Sequence, residues 1–496
     1  MKIKNLCFIF LPLLFITQHK AIAQQRTMTL TLEETIRLAQ EQSIDAMRVR
    51  QTFLRDYWNF RSHRAELLPS LNLQAGIANF ARNQIPLQDA ITGNIYYRPN
   101  YNMSNSAILS IDQRIVATGG MLSLSSSLSR IDQYNPHRIS YMSQPVTLSY
   151  IQPLFSYNSL KWARMIEPER YELAKREYLE SMENVTIRAV GLFYQLALAK
   201  MSYDIAVDNY RNTRTMYDIA RRRHEQTATV TRSELLQLEL NLTNDSLSIA
   251  TRSNSYLAQR MAFQSFLGYN ERMEISPDVP ETVPDISIDA DFVYGKAMEN
   301  GTFRRNQEIT RLMSESAVAQ ARANRGISVS ANANFGLSNS GATLPATYSN
   351  LRDQTVFGLS LRVPIMDWGM GRGRVKMAEA QQKISLSQLD QARIDFEQNV
   401  YLDVMRFNAQ RTQLLMARRA NDIAIESYEL AMQDFVDGKI SVRDLNSAQS
   451  EKDRANMNYI TEMSNFWNYY YNLRKLTLYD FMTGTDIWAE FEKLLE

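Results

Sequence analysis

The chain is poor in the residues that mark several large protein classes. Its 496 residues include one cysteine, Cys7, so no disulfide can form within the chain. Lys and Arg total 55 against 53 Asp and Glu, which leaves no basic excess to neutralise nucleic-acid phosphates. Beyond the first segment, no apolar run approaches the roughly 20 residues of a transmembrane helix. These absences exclude a disulfide scaffold, a bulk nucleic-acid binder and a helical membrane protein.

Patterns typical of catalysis or cofactor binding are also missing. His63, His137 and His224 are far apart and have no metal-ligand partner four residues away. The segment Gly369–Gly373 spaces its glycines as G-x-G-x-G, whereas a dinucleotide loop has G-x-G-x-x-G. This segment is better interpreted as a flexible joint between a strand and a helix. We therefore expect no enzyme activity, no cofactor and no metal site.

The N-terminus has the three parts of an export signal. Lys2 and Lys4 precede an apolar run of about 11 residues, which is too short to span a bilayer. Small residues follow, and they predict cleavage between Ala23 and Gln24. Because Cys7 lies inside this signal, the exported chain is expected to have no thiol.

The chain contains an internal repeat. Leu148–Phe155 reads LSYIQPLF and matches Leu359–Met366, which reads LSLRVPIM, and a long polar helical pattern follows each copy. Two copies at a fixed separation indicate a duplicated structural unit. The predicted organisation is a signal peptide at 1–23, a first repeat at 24–276, a proline-rich linker at 277–285, a second repeat at 286–484 and a tail at 485–496.

Each repeat begins with a helical segment and continues with alternating strands. Leu32–Glu66 opens with a capping box, Thr31 and Glu34, and Asp289–Arg325 is its counterpart. Strands are predicted at about 70–155 and 326–366. Apolar and polar residues alternate with period two, as in a half-buried sheet of a soluble sandwich or in a membrane barrel. The first repeat is longer here, and the extra sequence predicts an added hairpin at about 105–131.

Each repeat ends with a long helix, a tight turn and a returning helix. The first long helix is predicted from Pro168 to about Glu225, and the second from about Gly373 to Asp437. Helices of this length must pack sideways against other helices in a coiled-coil-like wall. The tip turns are predicted at about 225–231 and 437–441. The return helices are predicted to end near Leu267 and near Met482.

Several short motifs in this order resemble the TolC-like outer-membrane efflux and secretion channel family. They are Leu30–Glu34, Leu67–Leu71, Gln152–Phe155, Val363–Ile365 and the segment Phe435 to Leu445. The resemblance covers nearly the whole exported chain. It implies an α+β membrane protein, in which a homotrimer builds one transmembrane β-barrel that a periplasmic α-helical coiled-coil tube continues.

The resemblance also implies a function. The chain would be the passive outer-membrane exit duct of a tripartite efflux or secretion system. An inner-membrane pump and a periplasmic adaptor would deliver small molecules, such as drugs or metal ions, or secreted proteins. The family contributes four strands per subunit, and the added hairpin either raises this number to six or lies outside the barrel. The alternative function is an exported periplasmic coiled-coil scaffold without a pore.

By position, the family's adaptor-contacting tips fall on six residues of this chain. They are Thr229, Val230, Thr231, Gly438, Ile440 and Ser441. The two gate aspartates of some relatives fall on Asp444 and Ser447, so only the first is an acid here. A ring of three Asp444 carboxylates would favour cations. The alternative, held equal to it, is a helix-N-terminal aspartate that the helix dipole stabilises.

Overall fold

The computed structural model describes residues 27–227, 230–269, 274–280 and 282–495. Its helices are α1 (Leu32–Gln42), α2 (Ile44–Glu66), α3 (Ser159–Thr227), α4 (Arg232–Phe266), α5 (Ala290–Asn300), α6 (Phe303–Arg325), α7 (Met370–Asp437) and α8 (Val442–Thr477). Its strands are β1 (Thr27–Thr31), β2 (Ser70–Gln88), β3 (Ile95–Ile115), β4 (Gly120–Tyr134), β5 (His137–Leu154), β6 (Glu274–Asp278), β7 (Ser328–Gly341), β8 (Arg352–Arg362), β9 (Tyr479–Asp480) and β10 (Thr485–Asp486). Within these residues no helix has the length and apolarity that crossing a bilayer requires.

The long strands form one antiparallel sheet rather than two packed layers. Its order is β2-β3-β4-β5-β7-β8, so both repeats contribute to the same six-stranded sheet. The predicted hairpin is real and longer than expected, because β3 and β4 extend beyond 105–131 and turn at residues 116–119. It lies inside the sheet between β2 and β5, and the chain therefore supplies six strands.

The two faces of this sheet differ in polarity along every strand. Neighbouring strands pair in register, so each residue and its paired neighbours form a row across the sheet on one face. One such row, on what we name the apolar face, is Leu71, Ile111, Leu124, Leu148, Phe335 and Thr355. The adjacent row, on the polar face, is Asn72, Ser110, Ser125, Thr147, Gly336 and Gln354. In β3 and β4 the alternation has exceptions, because Ile108 lies on the polar face and Ser126 and Arg130 lie on the apolar face.

Residue contacts divide the chain into two compact units that do not follow the repeats. One unit combines the residues up to Leu38 with Val190–Thr282, and the other combines Ala39–Ala189 with Val283 onward. In the first unit β1 pairs in parallel with β6, so that Leu30 lies opposite Pro277. The predicted linker at 277–285 therefore begins inside a strand. This pairing joins the two ends of the first repeat, and a local sequence pattern cannot reveal it.

Each unit has its own buried core of aromatic and aliphatic side chains. In the second unit Phe407 of α7 is fully buried, with its ring centre 5.3 Å from that of Phe466 and 6.4 Å from that of Tyr470, both on α8. In the first unit the fully buried side chains include Phe193, Tyr194, Phe263 and Ile275. Packing of this kind, rather than helix propensity, is what stabilises helices of such length.

Two predicted helix boundaries are wrong, and one predicted helical segment has an internal break. Pro168 lies inside α3, which begins at Ser159 because Asn158 Oδ1 accepts a hydrogen bond from the Lys161 backbone N–H at 3.0 Å. The segment Leu32–Glu66 is two helices, since the side chain of Ser43 caps a new helix through Ala46 N–H. The return helix α8 ends at Thr477 rather than near Met482. In each case a cap or a turn overrides the periodic pattern.

Candidate functional site

The first tip turn joins α3 to α4 and closes with a capping box. Thr231 Oγ1 accepts a hydrogen bond from the Glu234 N–H at 3.2 Å, and Glu234 Oε2 accepts one from the Thr231 N–H at 2.8 Å. These bonds to Thr231 hold the pKa of Glu234 below its ordinary value. The predicted tip residue Thr231 is therefore the N-cap of α4, and Val230 precedes it directly. Thr229 lies outside the described residues, as do Ala23 and Gln24 of the predicted cleavage site.

A histidine also closes the first tip, which sequence reasoning missed. His224 Nδ1 lies 2.7 Å from the Val230 carbonyl oxygen, so this ring nitrogen donates the hydrogen bond. The partner is only six residues away, and a histidine near the end of a helix was the available sequence signal. The contact ties the last turn of α3 to the turn that precedes α4.

The second tip closes differently, through a glycine. Gly438 ends α7 with φ of 79°, a left-handed conformation that glycine adopts without strain. The Lys439 N–H then bonds to the Asp434 carbonyl at 2.8 Å, and Lys439 Nζ lies 2.9 Å from an Asp437 carboxylate oxygen. Ile440 is half-buried and Ser441 is exposed. At this tip the backbone conformation of Gly438 connects the end of the long helix to the turn, as the His224 side chain does at the first tip.

Asp444 has a definite structural role at the start of α8. Its N–H bonds to Ser441 Oγ at 3.3 Å, while its Oδ2 accepts from Ser441 N–H at 3.2 Å and from Ser441 Oγ at 2.7 Å. The hydrogen bonds from Ser441 hold the pKa of Asp444 below its ordinary value, so it is ionised at neutral pH. Ser447 lies on the same exposed face, three residues further on. The capping bonds leave Oδ1 for a further contact, and the gate role stays a prediction.

The segment Gly369–Gly373, predicted as a flexible joint, is instead the N-terminal cap and first turn of α7, and Asp367 holds two of its backbone donors. Asp367 accepts hydrogen bonds from Gly369 N–H at 2.9 Å and from Gly371 N–H at 2.8 Å. A phosphate bound at this helix N-terminus would need these two backbone N–H groups as its hydrogen-bond donors. Among the described residues, no three His, Cys, Asp or Glu side chains are placed to share a metal ion.

A buried ionic cluster in the second unit escaped the sequence patterns. Glu183 of α3 is 2% exposed, and its Oε2 lies 3.1 Å from Arg474 Nε of α8 without the alignment of a hydrogen bond. Arg474 also bonds to Asp480, which accepts a hydrogen bond from Tyr470 Oη at 2.6 Å. Burial raises the pKa of Glu183 to about 7, and Arg474 offsets only part of that effect.

Comparison with solved structures defines the class of fold. The outer membrane channel CmeC of Campylobacter jejuni is 14% identical, with a TM-score of 0.65 over 93% of this chain and 88% of its own. The outer membrane protein VceC of Vibrio cholerae is 13% identical, with a TM-score of 0.62 over 92% of this chain and 97% of its own. At these identities the likeness establishes the fold, which is that of the TolC-like outer-membrane channels.

The sequence itself supports the same assignment over part of its length. Residues 305–477 match the family model described as outer membrane efflux protein. None of the curated proteins compared with the chain matches it. The family match and the fold together confirm the predicted resemblance to TolC-like channels, in a protein of mixed helix and strand.

Proposed function

We propose that this protein is the outer-membrane exit duct of a tripartite efflux or secretion system. The observation that carries the proposal is the amphipathic six-stranded sheet, whose large apolar face no layer of the described residues covers. The duct is passive and performs no catalytic step. Its cargo would be small molecules, such as drugs or metal ions, or secreted proteins.

The exposed apolar face is the strongest evidence for a membrane location. Leu73 and Phe357, on opposite edge strands, are 73% and 72% exposed, and Leu124 near the middle of the sheet is 45% exposed. Soluble proteins rarely leave so large an apolar surface uncovered. Strands that alternate apolar and polar residues are typical of membrane sheets, in which lipid covers the apolar side. We therefore place this sheet in the outer membrane.

The open edges of the sheet argue for several copies. Neither β2 nor β8 has a second neighbouring strand among the described residues, so each leaves a row of backbone donors and acceptors. Unpaired backbone groups cannot face lipid, and such edges must pair with further strands. Pairing β8 of one copy with β2 of the next closes the sheet into a ring. A homotrimer, which the resemblance implies, would enclose the polar face around water.

The long helices carry exposed apolar stripes that other copies would cover. On α7, Met416, Ile423 and Leu430 are 67%, 49% and 63% exposed and recur every seven residues. This spacing is that of a coiled-coil seam, in which apolar side chains interlock with those of a neighbouring helix. At about 1.5 Å per residue, the 68 residues of α7 extend about 100 Å. That length suits a tube that projects into the periplasm.

The two tips are the proposed contacts with the rest of the system. A periplasmic adaptor would bind Val230 and Thr231 at the first tip, with Thr229, and Gly438, Ile440 and Ser441 at the second. Their capping boxes and the left-handed Gly438 make the described parts of these turns well defined, as a docking surface requires. Asp444 and Ser447 would lie at the periplasmic gate. An inner-membrane pump would supply the energy.

Electron microscopy of the detergent-extracted membrane fraction tests the duct directly. A hollow, three-fold particle about 100 Å or more in length would support it. A matched pair of variants sharpens the test, because Leu124 and Ser125 are adjacent in β4 and lie on opposite faces. Leu124→Arg should prevent membrane assembly, since arginine facing lipid costs about 2–4 kcal/mol. Ser125→Arg should assemble normally. A soluble, non-hollow particle would instead support the periplasmic scaffold.

A further inference from the structure

The charged residues of the six-stranded sheet are distributed unequally between its faces. Strand register places five arginines on the polar face, namely Arg98, Arg114, Arg138, Arg352 and Arg362. Only one acid, Asp112, shares that face. The other charged residues of these strands, Arg82, Arg130, Asp132 and Asp353, lie on the apolar side. The polar face therefore has a clear excess of positive charge.

The arginines lie towards both ends of the face. Arg114 is next to the turn that joins β3 to β4, and Arg362 ends β8 shortly before α7. Arg98 and Arg138 are near the opposite ends of their strands, beside the connecting loops. All five side chains are exposed. Within the described residues none forms an ion pair with an acid, whereas Arg130 on the apolar side pairs with Asp132 at 2.9 Å.

The single acid of the face is held by neutral groups. Asp112 accepts hydrogen bonds from Asn72 Nδ2 at 2.9 Å, from Ser110 Oγ at 2.8 Å and from Ser123 Oγ at 2.5 Å. These bonds link three strands and fix the carboxylate beside serines, so it does not neutralise a particular arginine. Between the charged positions the face consists mainly of serine, threonine and asparagine.

We propose that the polar face of the sheet attracts anions, and that the cargo passing it is preferentially anionic or carries anionic groups. This rests on the proposed function, because the face lines a water-filled passage only if copies of the sheet close around it. A concave wall with one sign of charge and a low-dielectric surround focuses its potential on the enclosed water. Three copies would present fifteen guanidinium groups against three carboxylates.

Engineered cysteines can measure this potential without requiring the helix tips to open. In a Cys7→Ser background, Ser125→Cys would be the only thiol of the full chain and lies on the polar face. The chain, assembled in lipid vesicles at about 10 mM salt, is treated with an anionic and with a cationic methanethiosulfonate. The rate with the anionic reagent is divided by the rate with the cationic reagent, and this ratio is then divided by the same ratio for free cysteine. A positive electrostatic potential at the thiol, equal to the thermal energy for a unit charge, would raise this ratio about sevenfold.

Two matched variants separate the effect of the polar-face arginines from the effect of removing positive charge anywhere on the sheet. Arg114→Gln with Arg362→Gln should lower the ratio at Ser125→Cys at least twofold. Arg82→Gln should leave it unchanged, because Arg82 lies on the apolar side with its guanidinium 5.6 Å from the Tyr101 ring centre. About 1 M salt should bring the ratio close to that of free cysteine, since the Debye length falls to about 3 Å.

The results distinguish failure of this inference from failure of the duct. A normalised ratio of one or less at Ser125→Cys, or an equal fall with Arg82→Gln, would overturn the anion preference while leaving the duct intact. Leu124→Cys tests the duct itself, because it lies on the apolar face. Lipid should protect it from both charged reagents. If it reacted as fast as Ser125→Cys, both faces would be wet, and the membrane sheet would be rejected together with the inference.

Discussion

Replacing Glu183 with glutamine should change how the stability of this protein depends on pH. Glu183 is buried between α3 and α8, and the charged groups that face it are Arg474 and Asp480. Arg474 lies between the two acids. Burial works to raise the pKa of Asp480 as well, but hydrogen bonds from Tyr470 and the Met482 N–H hold it below its ordinary value. For Glu183 the contact with Arg474 offsets only part of the burial, so its pKa is raised to about 7.

The magnitude and the sign follow from the linkage between proton binding and folding. The pKa of Glu183 is about 7 in the folded chain against 4.5 for an ordinary glutamate. The folded state therefore binds a proton more tightly than the unfolded state. The resulting stabilisation is fully present below pH 4.5 and is lost as the pH rises to about 7. The difference between these two pKa values corresponds to about 3 kcal/mol per chain.

The assay compares wild type with Glu183→Gln by thermal unfolding of the detergent-solubilised protein at pH 5 and pH 8. Glutamine has the same shape and no charge, so the variant should gain stability relative to wild type as the pH rises. The difference should amount to about 2–3 kcal/mol between the two pH values. Glu172→Gln is a suitable control, because Glu172 lies on the same helix and pairs with Lys175 at the surface.

Equal pH dependence of wild type and Glu183→Gln would refute the reasoning. It would mean that Glu183 titrates normally, either because Arg474 compensates its burial fully or because water reaches it. A shift of the same size in Glu172→Gln would also refute it, since the effect would then belong to helix charge in general. Loss of folding at both pH values would show that the carboxylate contributes packing rather than titration.

Three further changes test the core and the second tip. Phe407→Ala should lower the free energy of unfolding by about 3–5 kcal/mol, because it leaves a cavity beside Phe466. Chemical denaturation would measure this loss, and a clearly smaller loss would contradict the prediction. Ser441→Ala should cost about 1 kcal/mol and speed amide hydrogen exchange in the first turn of α8; unchanged exchange would deny the cap. Asp444→Asn should weaken cation preference in single-channel recordings, and unchanged selectivity would remove Asp444 from the gate.

Local signals in the sequence predict helix ends well where a cap lies within a few residues. The capping boxes Thr31–Glu34 and Thr231–Glu234 are both present in the structure, and Gly438 ends α7 as expected. The two boxes depend on a side chain that bonds to backbone three residues away, and Gly438 depends on its own left-handed backbone conformation. Pro168 gave a wrong prediction of the start of α3, because proline is compatible with the first turn of a helix but does not determine where the helix begins. The cap at Asn158 decides where α3 begins.

Features that join distant segments could not be predicted in this way. Register between β1 and β6, and the contact of Glu183 with Arg474, depend on how separate parts of the chain fold against each other. The sheet is an intermediate case. Alternation predicted its strands and its two faces, but not whether the added hairpin would enter it. Once β3 and β4 are placed between β2 and β5, their arginines fall on a known face.

The charge of Asp444 at the second tip is opposite to that of the arginines on the polar face of the sheet, and this limits what a single conductance measurement can reveal. A pore's overall selectivity is set mainly where it is narrowest, because the fixed charges there lie within a Debye length of every passing ion. If the Asp444 carboxylates line the narrowest point, reversal potentials will report cation preference even when the sheet attracts anions. Asp444→Asn should then weaken that preference, while leaving the thiol rate ratio at Ser125→Cys unchanged. If Asp444→Asn altered the thiol rate ratio, the charges of the sheet and of the second tip would act on the same ions. Neither region could then be assigned a selectivity of its own.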